Sequence, residues 1–146
     1  MTGFQTIADA IEAALFAAPP LAGGRVYANR LRPLPEGVAT ALVVRLDKSE
    51  AIEVVLGALD WTSGFVLECY ARGAGGTDPA EAVDALLGDA WARLAALDAG
   101  ALGAMAIVIN PSIDWQYDEA DGPVVCASVT LQVQHRTAVT NLIVWS

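Results

Sequence analysis

Few residues in this chain are equipped for chemistry. His135 is the only histidine. As a general base it would need a serine or cysteine nucleophile on a sharp turn beside it. The chain has no Gly-x-Ser-x-Gly stretch, and Cys126 lies nine residues back on what reads as the same strand, out of local reach. Arg136 follows directly, and a positive charge held close would disfavour the imidazolium. These neighbours favour a structural hydrogen-bonding role. Gly73-Ala-Gly-Gly76 sits between a strand and a helix, where a phosphate-binding loop would sit. The third glycine of the dinucleotide pattern is replaced by Asp78, whose carboxylate competes for the place of a phosphate. No Lys-Ser/Thr follows, so the stretch reads as a flexible joint. Asp114, Asp118, Glu119 and Asp121 crowd around one turn. Such oxygen ligands suit Mg²⁺ or Ca²⁺, but the spacing is not that of an EF-hand, and a solvated turn is the plainer reading.

Arg25, Arg30 and Arg32 form the one local basic cluster. Their neighbours are Pro33 and Pro35 rather than interleaved aromatics, so they make a poor nucleic-acid platform. Pairing with the acidic surface of a neighbouring subunit is expected instead. Cys69 and Cys126 both fall in alternating runs and are expected as buried free thiols. No cofactor or metal is expected.

The elements that position these residues follow from capping and periodicity. Thr2-Gly3-Phe4-Gln5 reads as a capping box, and Phe4, Ile7, Ile11 and Leu15 recur at helical spacing. Pro19-Pro20 ends that helix. Gly23-Gly24 turns into a short strand over Arg25–Ala28, and a loop follows to Gly37. Strands are expected over Ala39–Leu46, bounded by Asp47-Lys48, and over Trp61–Arg72. Between them, residues 47–60 are ambiguous: Ile52, Val54 and Leu56 alternate with Glu53 and Val55, which suggests a strand continuing into a hairpin, with Ser49–Leu59 projecting. On the second strand Trp61, Ser63, Phe65, Leu67 and Cys69 share one face. Asp78-Pro79-Ala80-Glu81 opens a helix with Asp78 as N-cap and Pro79 at the first position. Val83, Leu86, Leu87, Ala90, Trp91 and Leu94 form its apolar stripe, and Gly100 is its expected end. A buried strand is expected over Ala104–Asn110. Ile113–Tyr117 and Val124–Arg136 then pair around Asp121-Gly122. Val125, Ala127, Val129, Leu131 and Val133 point inward; Ser128, Thr130, Gln132 and Gln134 point away. Residues 137–146 read as a tail ending in Leu142, Ile143, Val144 and Trp145. The expected fold is α+β: a mostly antiparallel sheet covered by two helices, with a projecting hairpin and a C-terminal tail, in one domain over 1–146.

Composition narrows the function. The chain has 146 residues, 55% apolar and 17% charged, with a net charge of −9. A typical soluble domain has about 25% charged residues. So few charges leave apolar surface exposed, which points to an oligomer. The acidic balance argues against a protein that grips phosphates. The longest uncharged stretch, Ala99–Ile113, is too short to span a membrane and is interrupted by Asn110-Pro111. Asp9 and Glu12 stand where a signal peptide would be apolar, so synthesis and retention in a cytoplasm are expected.

In order and spacing the chain resembles the tail terminator (tail completion) proteins of long-tailed bacteriophages and phage-like gene transfer agents. The matching features are the helix Phe4–Phe16 and the turn and strand Gly23-Gly24-Arg25-Val26-Tyr27. Phe65–Tyr70, the helix capped by Asp78, and the closing pair Asp114–Asp118 and Val129–Val133 complete them. The resemblance spans residues 4–136. It implies a ring, usually a hexamer, that caps the tail tube in the virion and stops its polymerisation. The implied partners are further copies of the chain, the tail tube protein and a head-completion or connector protein. DNA would pass through the central hole, past an acidic wall that repels it. Neither an enzymatic step nor a membrane is implied, and synthesis would be in the bacterial host cytoplasm. Ser49–Leu59 and Leu142–Trp145 depart from the family pattern. With Arg25, Arg30 and Arg32, the residues Ile52, Val54, Leu56, Leu142, Val144 and Trp145 are the expected interface set. The alternatives are another neck or tail-tube protein, or a small metal-dependent enzyme using Asp114, Asp118 and Asp121.

Overall fold

A computed structural model describes residues 1–28, 39–73, 78–118 and 123–143, with the backbone alone at 53–55. Helix α1 spans Gly3–Phe16, and the Thr2 side chain accepts a hydrogen bond from the Gln5 N–H at 3.4 Å. That satisfies one of the donors a helix start leaves free. Ile7, Ala8, Ile11 and Leu15 form its buried stripe. A 3₁₀ turn over Leu21–Gly24 leads into β1 (Val26–Ala28). Then come β2 (Thr40–Val55), β3 (Ala58–Arg72), α2 (Pro79–Ala95), β4 (Ala106–Asp118) and β5 (Val124–Ala138). The sheet order is β1-β2-β3-β5-β4. β1 runs parallel to β2, and every other neighbouring pair is antiparallel. Both helices pack on one face, over Leu42, Val44, Phe65, Leu67, Cys69, Val129 and Leu131. The fold is thus α+β, with a mostly antiparallel sheet and two helices.

Alternation governs the central strands. β3 and β5 bury Ser63, Phe65, Leu67, Ala127, Val129, Leu131 and Val133, the parity expected from sequence. Asp78 caps α2, its carboxylate accepting from the Ala80 N–H at 3.0 Å, and Pro79 opens the helix. Cys69 and Cys126 are buried and free. They sit on neighbouring strands with opposite parity, so their side chains leave opposite faces and cannot bridge. Burial pushes the Cys69 thiol up to about 12.

Several boundaries differ from expectation. β2 continues into the hairpin, as the alternation over Ile52–Leu56 suggests, but the bound expected at Asp47-Lys48 is instead a register shift between Leu46 and Lys48 that absorbs the polar pair as a bulge. α2 ends at Ala95, before Gly100, which instead opens a second 3₁₀ turn. β4 is not a buried strand. It lies at the sheet edge, and only Ala106, Ile107, Ile109 and Ile113 along it are even partly buried. Its register shifts between Ile109 and Ile113, around Pro111, where an edge tolerates the missing N–H. β5 runs through Thr137 and Ala138, two residues into the stretch expected as tail.

One side chain locks the two helices together. The Arg93 guanidinium donates to the carbonyls of Ala14 (3.2 Å), Leu15 (3.1 Å) and Ala17 (2.6 Å), and to that of Pro19. These are carbonyls at and just beyond the α1 C-terminus, where a helix leaves acceptors free and its dipole is negative.

Candidate interaction surface at the hairpin end of the sheet

β2 and β3 are joined by the tight turn Leu56-Gly57. Gly57 has φ +84°, and a Cβ there would meet nothing within 4 Å. The glycine answers a backbone demand and no crowding. β5 accompanies β3 to this end, pairing Ala138 with Ala58, and the Val139 N–H donates to the Gly57 carbonyl at 2.9 Å. The chain then bends back, and the Gly3 N–H donates to the Leu142 carbonyl at 2.7 Å. The Ile143 N–H is held by the Asn141 side chain at 3.1 Å. These bonds gather the hairpin tip, the start of the tail and the start of α1 at one end of the sheet. The hairpin expected to project is therefore flanked along one side by β5.

Large apolar side chains stand in solvent here. Leu56 is 96% exposed, Ile52 67% and Ile143 54%, with Met1, Val139 and Leu142 also exposed. Ile52 lies on the helix-free face in register with Asp60, which pairs with Arg136. Arg136 Nε and Nη2 donate to the Asp60 carboxylate at 2.5 and 3.0 Å, and the pair holds the Asp60 carboxyl below its usual range.

Beneath this end lies a buried polar network. Ser63, His135 and Thr137 are fully buried. His135 Nε2 and Ser63 Oγ are 2.9 Å apart, and Ser63 Oγ and Ser49 Oγ are 2.8 Å apart. Trp61 Nε1 donates to Thr137 Oγ1 at 2.9 Å. The Phe4 ring stands edge-on to Trp61 and to His135, each with centroids 5.0 Å apart. Ser63 and His135 have the spacing of a nucleophile and its base, but both are sealed from solvent. Moreover, among the described residues His135 Nδ1 has no hydrogen-bond partner, so none of them fixes the ring as the third member of a triad would. Here the network knits three strands together. Burial lowers the His135 pKa; Arg136, which faces the other side of the sheet, has no part in the shift. Sequence reasoning missed the Ser63 partner because cross-strand register joins residues far apart. The inward parity running from Val125 to Val133 does extend to His135 and was the available signal.

The other expected site residues lie elsewhere. Arg25 Nε donates to the Thr40 carbonyl at 2.6 Å and Nη2 to Thr40 Oγ1 at 3.1 Å. This ties Arg25 to the start of β2, the opposite end of that strand from Ile52 and Leu56. Arg30, Arg32, Val144, Trp145 and the Val54 side chain fall outside the described residues. The structure thus brings Ile52, Leu56 and Leu142 to one end and sets Arg25 apart. Asp114 and Asp118 share the helix-free face of β4, and four residues of strand separate them by about 13 Å, too far to share one ion. Asp121 and Glu119 lie outside the described residues. Among the described residues no three His, Cys, Asp or Glu side chains gather as a metal site. A shallow polar groove beside Asp114 is lined by Arg45, Asn110, Ser112, Gln116 and Ser128. Its Arg45 is taken up by Glu68, which also accepts from the Tyr70 hydroxyl. Among the described residues no helix is long and apolar enough to cross a membrane.

No protein-family model matches the chain, and no curated protein matches its sequence. Among solved structures it is similar to a chain from the virion of a native gene transfer agent particle. That chain is 17% identical, with 93% of this chain and 92% of that one covered and a TM-score of 0.48. A second solved chain is 18% identical over 89% of each chain, with a TM-score of 0.43.

Proposed function

We propose that the protein is a structural component of a phage-like particle: a ring-forming tail terminator that caps the tail tube, stops its growth and offers the head-joining surface. The observation that carries this reading is the apolar end of the sheet. Leu56, Ile52, Val139, Leu142 and Ile143 are exposed together there on an otherwise acidic chain. A patch of this kind asks for a protein partner rather than water. In this reading the tube protein or a head-completion protein covers the tip formed by Leu56, Val139, Leu142 and Ile143. Val54, Val144 and Trp145 join the same interface, and Arg25, Arg30 and Arg32 meet the acidic surface of the next subunit. DNA passes through the ring without being gripped, since a net charge of −9 repels phosphate. The resemblance in sequence order over residues 4–136 supports the same assignment.

The test is to image the purified protein and to add it to polymerising tail tube protein. Rings with a central hole, and tubes that stop lengthening, are the expected results. Tubes of unchanged length would sink the capping role, and turnover of a substrate that depends on Asp114 would favour the metal-dependent alternative.

A further inference from the structure

Among the described residues the sheet has two open edges. β4 forms one, and among the described residues no strand lies beside it. At the other, β1 covers β2 only at Leu42, Val43 and Val44. From Arg45 to Val55, β2 has no neighbour on that side among the described residues. Long open edges are a hazard that proteins usually blunt with lysine, with proline or by brevity. β4 spans 13 residues with no lysine or arginine, and its single proline sits inside the bulge. Both edges also carry apolar side chains in solvent. Tyr117 is 69% and Val108 58% exposed on β4, where Trp115 is exposed as well, and Leu46 and Ile52 are exposed on β2.

The directions of the edges match. From β2 onward every neighbouring pair is antiparallel, so β2 and β5 run one way and β3 and β4 the other. Laid beside β2 of a second copy in the same orientation, β4 forms an antiparallel ladder, the better-bonded arrangement. The contact joins two different surfaces, so each copy offers one of each to its neighbours. A repeated head-to-tail contact closes into a ring when the rotation allows.

We propose that the occupant of the β4 edge is a second copy of this chain, contributing the free part of its β2, so that one sheet runs on from subunit to subunit. The proposal rests on the ring reading above and supplies its lateral contact. β1 limits the register: because it occupies β2 as far as Val44, the incoming β4 pairs from Arg45 onward.

Two variants test this. One carries Val108→Lys and Tyr117→Lys on β4; the other carries Leu46→Lys and Ile52→Lys on β2. Circular dichroism checks the fold, and the single changes Tyr117→Lys and Ile52→Lys replace any pair that fails to fold. Light scattering should show the wild type as a closed assembly and each variant alone as a monomer. Mixed, the variants should give a one-to-one dimer and nothing larger, since each retains one working edge. Assemblies that persist in either variant overturn the edge contact and leave the ring reading standing. A β2 variant that dimerises alone also overturns it, because β4 would then be pairing with itself. Complementary dimers together with open fibres from the wild type keep the edge contact and sink the ring. A wild type that stays monomeric sinks both.

Discussion

With Nε2 held by Ser63 and Nδ1 bare, the buried His135 ring is favoured in its neutral form. Its pKa in the fold lies below the ordinary value near 6.5, so the unfolded chain takes up the proton first. The stability this neutral ring contributes is present above about pH 6.5 and drains as pH falls from there through the lowered value. The wild-type melting temperature should therefore drop between pH 7 and pH 5, and His135→Gln should flatten that drop. Asp60 and Glu50, whose carboxyls are held low by Arg136 and Lys48, titrate only below this window. Thermal melts of both proteins at the two pH values decide; equal slopes would remove His135 from the account. Part of this scale was legible: the inward parity running from Val125 to Val133 extends to His135, whereas its serine partner, Ser63, comes from another strand and left no local sign. The effect expected of Arg136 was not, because adjacent residues on a strand face opposite ways.

At the scale of elements, caps and alternation were readable because they depend on residues close in sequence. Thr2, Asp78 and Pro79 mark their helices, and on the helix-covered face β3 and β5 keep the expected parity. What local signals misplace are the bulges. Asp47-Lys48 and Asn110-Pro111-Ser112 look like strand ends, yet the ladders on either side carry the chain through them. Arg93 gave no signal either, since a helix-terminus clamp from a second helix has no local pattern. Arg93→Ala should destabilise the fold by about 2 kcal/mol, the range for hydrogen bonds to a charged donor, with Arg93→Lys recovering part of it; urea unfolding reads both. At the β2–β3 turn, Gly57→Val should cost about 1 kcal/mol or more, because the glycine φ of +84° strains a branched residue even in open space. Leu56→Asp, one residue away and fully exposed, should change stability by no more than about 0.5 kcal/mol while abolishing partner binding in a pull-down. Retained binding would take the hairpin tip out of the interaction surface.

At the scale of the molecule, the meeting of the hairpin tip and the tail was not legible. It depends on β5 entering the sheet beside β3, a pairing that nothing local announces. It also moves the useful truncation point. Removing residues from Ala138 onward would strip the partner of Ala58, whereas removing 142–146 costs, among the described residues, the Gly3–Leu142 and Ile143–Asn141 bonds, about 1 kcal/mol each. That shorter truncation should leave circular dichroism unchanged and reduce the assembled mass by light scattering. An undiminished mass would exclude the tail from assembly. The position of β5 has a further consequence, in time. β2 and β3 meet across a two-residue turn and can zip in about 1–10 μs, as isolated hairpins do. β5 must return across α2 and β4 before β3, the middle strand, gains its second neighbour, and such distant closures fold slowly. Until it arrives, β3 presents a bare inner edge lined by Phe65, Leu67 and Cys69. Refolding at high concentration should therefore compete with capture of a strand from another chain, and the refolded yield should fall as concentration rises.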